Sequence, residues 1–288
     1  MDAVGPDEAS PWDIELGVDW QPPDPPTNLP HPLRMMDYII GGKDNYQADR
    51  DAVDFAVELI PDLVLVARAA EAFVRRTIVW MAGPEHGVDQ FLHLGTFIPT
   101  THSLDGLVRE HRPGARFVYV TDDQVSAAHA RGVLAARARG AGEVHTLWAD
   151  IRDPAPVMAG SWLRQRLDLD RPIGVLLFGM PDFTAEDDRL VQAVADLQAA
   201  LAPGSLIAVT HVLAERDLGR IAAAMKSLGP NPYQYTPRPL THVRELLSGL
   251  EFVDPGLVRC TSWRPDGDGP GLDLEERCPV AGGVAVVR

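Results

Sequence analysis

The sequence predicts an α/β fold built on a mostly parallel sheet that ends in an antiparallel hairpin. Two observations carry this. Short apolar, β-branched runs alternate with segments of helical periodicity, the pattern of right-handed βαβ units. The last two apolar runs have no helix between them, the pattern of a hairpin at a sheet edge. At 288 residues, 45% hydrophobic and 23% charged, the chain is long and apolar enough to bury a sizeable core.

Residues 1–33 stand apart. They hold Asp2, Asp7, Glu8, Asp13, Glu15, Asp19 and Asp24, eight prolines, and no Lys or Arg. This is an acidic, proline-rich tail preceding a globular domain over 34–288. Within it Trp12, Ile14, Leu16, Val18 and Trp20 alternate with Asp13, Glu15, Gly17 and Asp19. That period of two is a strand with one apolar face. It lies over the chain's own surface or adds to a sheet edge, its own or that of a protein partner.

Residues 34–82 read as a helical cap, with clear 3.6-residue periodicity over Leu63–Met81. Residues 83–288 form the sheet core. Strands are expected at Gln90–Thr96, Arg116–Asp122, Val144–Asp150, Ile173–Met180 and Ser205–Leu213. A helix spans Glu186–Leu201, with Thr184 and Asp187 spaced as a capping box. Leu250–Arg259 and Val280–Val287 form the closing hairpin.

Charge and composition narrow the partners. Lys+Arg number 26 against 41 Asp+Glu, a net charge of −15, and an acidic surface repels phosphate backbones. Nucleic acid is therefore excluded as the main partner. No apolar run reaches the roughly 18 residues of a membrane helix, and the N-terminus lacks the basic and apolar regions of a signal peptide. A soluble, cytoplasmic protein is expected. Cys260 and Cys278 are too few for a disulfide framework and lack metal-ligand spacing, so they are expected as reduced thiols, with no metal site.

In such a sheet, ligands bind at the carboxyl ends of the strands, near the point where strand order reverses. The residues following each strand are therefore the candidates. They are His93, Gly95 and Thr96, with Thr100, Thr101 and His102 where the next helix begins; then Thr121 and Asp122; Asp150; Asp182; and His211.

Several segments together resemble an actinobacterial family of S-adenosylmethionine-dependent methyltransferases. They are Met36–Tyr46 with Ala48-Asp49-Arg50, Phe91–Thr96 with Pro99-Thr100, Ala149–Pro154, Leu169–Pro172, Pro203-Gly204-Ser205 and Ser262–Asp266. The resemblance runs from about residue 33 to the C-terminus. It implies the class I methyltransferase fold, a Rossmann-like seven-stranded sheet with a terminal antiparallel hairpin.

The departures from that family set the functional expectation. The family carries an acidic residue where this chain has His93, a second glycine where it has Phe97, and an acidic residue where it has Thr121. Threonine cannot accept two ribose hydroxyls as a carboxylate does. Asp122 is adjacent but points to the opposite face if the strand continues. An imidazole favours a sulfonium less than a carboxylate does, and repels it if protonated. Asp150 keeps the position that the resemblance assigns to adenine contact.

Lys43 lies in the Gly41–Tyr46 loop, which borders the active site in the resembled family. Together with Thr100, Thr101 and His102 at a helix N-terminus, it would favour an anion. Asp44, Tyr38, Asp182 and His211 are the acid–base candidates. The expectation is a degenerate cofactor site in a repurposed enzyme that uses no cofactor. It would catalyse displacement, elimination or cyclisation with an anionic leaving group on a small molecule, in natural-product biosynthesis. The alternatives are a genuine S-adenosylmethionine-dependent methyltransferase, and a non-catalytic scaffold that joins a hetero-complex through the Trp12–Trp20 strand.

Overall fold

A computed structural model describes residues 27–59, 61–96, 103–128, 130, 143–215, 235–266 and 278–288. Eight strands form one sheet: β1 Gln90–Leu94, β2 Arg116–Thr121, β3 Val144–Trp148, β4 Gly174–Leu177, β5 Leu206–Val212, β6 Glu251–Phe252, β7 Val258–Arg259 and β8 Val280–Val286. Their order is β3-β2-β1-β4-β5-β8-β6, with β7 also on β8. Neighbours among β1 to β5 pair in parallel, while β8 runs antiparallel to β5, β6 and β7. Strand order therefore reverses between β1 and β4, which fixes where a ligand cleft opens.

The expected arrangement is present, with two local differences. The strand expected over Leu250–Arg259 is split into β6 and β7. Between them lies Asp254-Pro255-Gly256, where Pro255 has no N–H to donate and Gly256 takes φ +89°. The capping box at Thr184 does not form. The helix starts after Glu186, and the Thr184 hydroxyl turns back to the Met180 carbonyl at 3.1 Å.

The parallel strands are buried on both faces, which is why they read as continuous apolar runs. Leu92, Leu94, Val118 and Val120 join one core, while Phe91, Phe117 and Tyr119 join the other. The second core includes the cap. Helices α1 Pro32–Ile39, α2 Gln47–Leu59 and α3 Leu63–Ala82 pack on one another, and α3 lays Phe73, Val74, Ile78 and Met81 against the sheet. Further helices follow, among them α4 Leu104–His111, α5 Pro154–Ala159, α6 Ser161–Arg164, α7 Asp187–Ala200 and α8 Leu240–Leu246.

Cys260 and Cys278 are buried free thiols with their sulfurs 3.3 Å apart. Among the described residues no helix is long and apolar enough to cross a membrane.

Candidate functional site

At the reversal point, the ends of β1, β4 and β5 are stapled together. Thr96 N–H donates to the Phe178 carbonyl at 2.8 Å, and Gly179 N–H donates to Thr210 Oγ1 at 3.1 Å. Gly95 is required here, because a Cβ would collide with the Phe178 carbonyl oxygen and stand 2.8 Å from His93 Nε2. Gly179 sits at φ +80°, and a Cβ there would meet Thr96 Oγ1 at 2.6 Å. His93 lies beneath this junction, fully buried, its ring 5.6 Å from Tyr119 and 6.1 Å from Phe178. Burial lowers its pKa to about 3, so the imidazole is neutral.

The end of β2 differs from expectation. The strand stops at Thr121, so strict alternation does not carry over to Asp122. Thr121 Oγ1 is occupied, accepting the Asp123 N–H at 3.1 Å. The two carboxylate oxygens of Asp122 are buried, and neither is hydrogen-bonded among the described residues. The His31 ring nitrogen Nε2 stands 3.6 Å from its Oδ1. Beyond β3, Asp150 accepts from the Arg152 backbone and side chain at 2.9 and 2.8 Å, and from Arg189 at 3.1 Å. Burial works to raise its pKa, but the Arg152 hydrogen bonds and the charges of Arg152 and Arg189 outweigh it and hold the carboxyl below its ordinary value.

A cavity of about 170 Å³ lies between the cap and the ends of β4 and β5. Met35, Met36 and Ile39 of α1 and Leu63, Val66 and Ala70 of α3 form its apolar wall. Thr96, Asp182, Thr210 and Tyr235 supply its polar groups. Asp182 arrives on the 3-10 turn Met180–Phe183 that follows left-handed Gly179. Its Oδ1 accepts the Val212 N–H at 2.6 Å and lies 3.1 Å from His211 Nδ1. Its Oδ2 makes no hydrogen bond among the described residues.

Asp182 and His211 are thus brought together, as two candidates from adjacent strand ends, but His211 is sealed. Arg238 Nη1 donates to its Nε2 at 3.0 Å, and a guanidinium only donates. The proton therefore sits on Nδ1, 2.7 Å from the Val212 carbonyl. With no exposed surface, His211 positions Asp182 and has no free nitrogen for a substrate. Arg238 also binds Asp187 at 2.8 Å and the Thr184 carbonyl at 2.7 Å, fixing the segment after β4. Burial, and then the Asp182 charge, push the Tyr235 pKa well above its ordinary value, so Tyr235 remains a phenol.

The cap loop has a structural logic that the sequence did not disclose. Buried Asp37 accepts from the Asp44 N–H at 2.7 Å and from Asn45 Nδ2 at 2.9 Å, and a side chain at Gly42 would overlap its carboxylate. The Gly41–Tyr46 loop is therefore wound around Asp37. Lys43 is exposed, and Tyr38 donates outward to Asp54 at 3.2 Å. That hydrogen bond and the Asp54 charge raise the Tyr38 pKa. Lys43, Asp44 and Tyr38 do not line the cavity. Arg34 was also missed, because a lone arginine before two methionines carries no motif. It is 1% exposed and binds Asp49 at 3.0 Å, Asp123 at 2.9 Å and the Leu29 carbonyl at 2.7 Å. It joins the cap to the end of β2. Phe97, Thr100, Thr101, His102 and the Trp12–Trp20 strand lie outside the described residues.

Comparison with known proteins fits this geometry. The profile of the S-adenosyl methyltransferase family matches residues 19–288. A DUF574-family protein of Streptomyces avermitilis is 32% identical over 91% of this chain and 99% of its own, with a TM-score of 0.81. A Thermobifida fusca protein described as a candidate methyltransferase is 28% identical over 90% of this chain and 96% of its own, with a TM-score of 0.80. No curated protein matches the chain.

The family match overturns the expectation of an enzyme without cofactor, and gives no support to a repurposed, non-methylating chemistry. The geometry removes two grounds for a degenerate site. His93 is neutral and cannot repel a sulfonium, and Asp122 is not turned away by strand alternation.

Proposed function

The chain belongs to the S-adenosyl methyltransferase family, and on that premise we propose that it transfers a methyl group from S-adenosylmethionine to a small molecule held in the cavity beneath the cap. When bound, S-adenosylmethionine supplies an electrophilic methyl group on a sulfonium centre. The observation that carries the reading is Asp122. Both of its carboxylate oxygens are buried and accept no hydrogen bond among the described residues, at the carboxyl end of β2 beside the reversal point. A buried charge without a donor is costly, and a ribose diol brings two donors to such a position.

The remaining roles follow from residues in place. Gly95 and Gly179 let the β1 and β4 ends meet without side chains between them. Thr96, in the β1 turn, also lines the cavity, so the two sites adjoin. Helices α1 and α3 wall the cavity with apolar side chains. Asp182 is positioned to accept a proton from the methyl acceptor.

Calorimetric titration with S-adenosylmethionine and S-adenosylhomocysteine tests this. Micromolar binding is expected. Asp122→Asn should weaken S-adenosylhomocysteine about tenfold or more, since hydrogen bonds to a charged group contribute about 1.5–3 kcal/mol each. The variant should melt close to the wild type, because neither carboxylate oxygen has a hydrogen bond to lose among the described residues. No binding of either compound at millimolar concentration would sink the proposal.

A further inference from the structure

We propose that the acceptor is a small, apolar, ring-sized molecule presenting a hydroxyl or amine to Asp182, and that carboxylates and phosphates are excluded from the cavity. This rests on the methyl-transfer reading for its purpose, but the recognition is argued from the cavity alone. Its volume of about 170 Å³ is slightly more than the ~150 Å³ of an apolar cavity that holds benzene. A single ring with small substituents therefore matches it.

The charge pattern selects the substituent. Asp182 is the only charged residue among the described lining residues, none of which is a Lys, Arg or His. The nearby guanidinium of Arg238 is spent on Asp187, His211 and backbone carbonyls. The anchor of Asp182 is rigid, with Oδ1 held by Val212 N–H and facing His211, so the unbonded Oδ2 is the oxygen available to a ligand. A ligand O–H or N–H satisfies that oxygen. A ligand carboxylate would set two like charges together in an apolar site whose described lining holds no cation to offset them, which rejects by repulsion what shape alone would admit. Thr96, Thr210 and Tyr235 hydroxyls can bond a second polar atom of the ligand.

The test uses three probes with one skeleton: 4-ethylphenol, 4-ethylbenzylamine and 4-ethylbenzoate. Each is titrated calorimetrically into the full chain, with and without saturating S-adenosylhomocysteine. The phenol and the amine are expected to bind about tenfold or more tightly than the benzoate. Asp182→Asn should remove most of the preference of amine over benzoate. Because Asp182 also holds Val212 in place, Ala70→Trp is the companion variant. It fills the cavity from α3 and should abolish binding of the phenol and the amine while S-adenosylhomocysteine affinity and melting temperature are kept. Benzoate binding as tight as the others, discrimination that survives in a folded Asp182→Asn, or no binding of phenol and amine at millimolar concentration would overturn the proposal. If S-adenosylhomocysteine fails to bind while the probes discriminate as expected, the methyl-transfer reading falls and the recognition stands.

Discussion

At position 93 an imidazole is packed among aromatic rings with no exposed surface, and its environment decides its chemistry more than its identity does. From the sequence, His93 stands for a lost carboxylate and a potential cation; from its burial it is a neutral filler beneath the Gly95 junction. The consequence is a measurable dependence of stability on pH. His93 has a folded pKa of about 3 against an ordinary value of 6.5, so between those values the unfolded chain binds a proton that the folded chain does not. Stability therefore falls as pH drops through that window, by up to about 1.4 kcal/mol per pH unit from this residue. His93→Leu should match the wild type near pH 7 and lose less stability between pH 6 and 4. Urea midpoints at several pH values decide it; parallel acid limbs would refute the assignment. Asp122 shows the same limit of sequence reasoning. Its orientation turned on whether β2 continued, and a strand's last residue is the least legible feature of a pattern.

Elements were far more legible than the contacts between them. Period-two and apolar runs placed every principal strand, because burial on both faces leaves a compositional trace. What they could not show is how closely α3 approaches β8. Gly282 pairs with Thr210 and Val258 across the sheet, and a Cβ on it would stand 2.7 Å from the Phe73 ring. The glycine in β8 is thus the complement of a phenylalanine some two hundred residues earlier. Gly282→Ala should cost about 1–3 kcal/mol by overpacking. Adding Phe73→Leu should recover part of that loss, and a double-mutant cycle by chemical denaturation would show it. Additive losses would mean that the two do not share the space. Arg34 makes the corresponding polar link between α1, α2 and the end of β2. Arg34→Met leaves Asp49 and Asp123 buried without their cation and should cost about 3–5 kcal/mol. A melting temperature equal to the wild type would contradict that role.

At the scale of the molecule, the sheet carries the strand ends with Asp122, Gly95 and Gly179, and the cap supplies the apolar wall of the cavity. The fold and its reversal point were readable from the order of elements. The cavity was not, because it forms between α1, α3 and strand ends far apart in sequence. The boundary drawn at residue 33 also misses how the cap is fastened. Leu29 offers its carbonyl to Arg34, and the His31 N–H donates to Asp49 at 2.8 Å while its ring stands beside Asp122. These contacts precede the boundary but belong to the globular part. Two truncations separate the possibilities. Removing residues 1–33 deletes two hydrogen bonds to buried charged groups, each contributing about 1.5–3 kcal/mol, together with the His31 cap and the buried Leu33 of α1. It should lower the melting temperature by several degrees and loosen the cap over Asp122, weakening S-adenosylhomocysteine as well. Removing residues 1–26 keeps Leu29 and His31 and should change neither by much. Equal losses in both would assign the stabilisation to the acidic segment around Trp12–Trp20 instead. A loss confined to the longer truncation would place the start of the folded unit at Leu29, where the backbone first answers a buried charge.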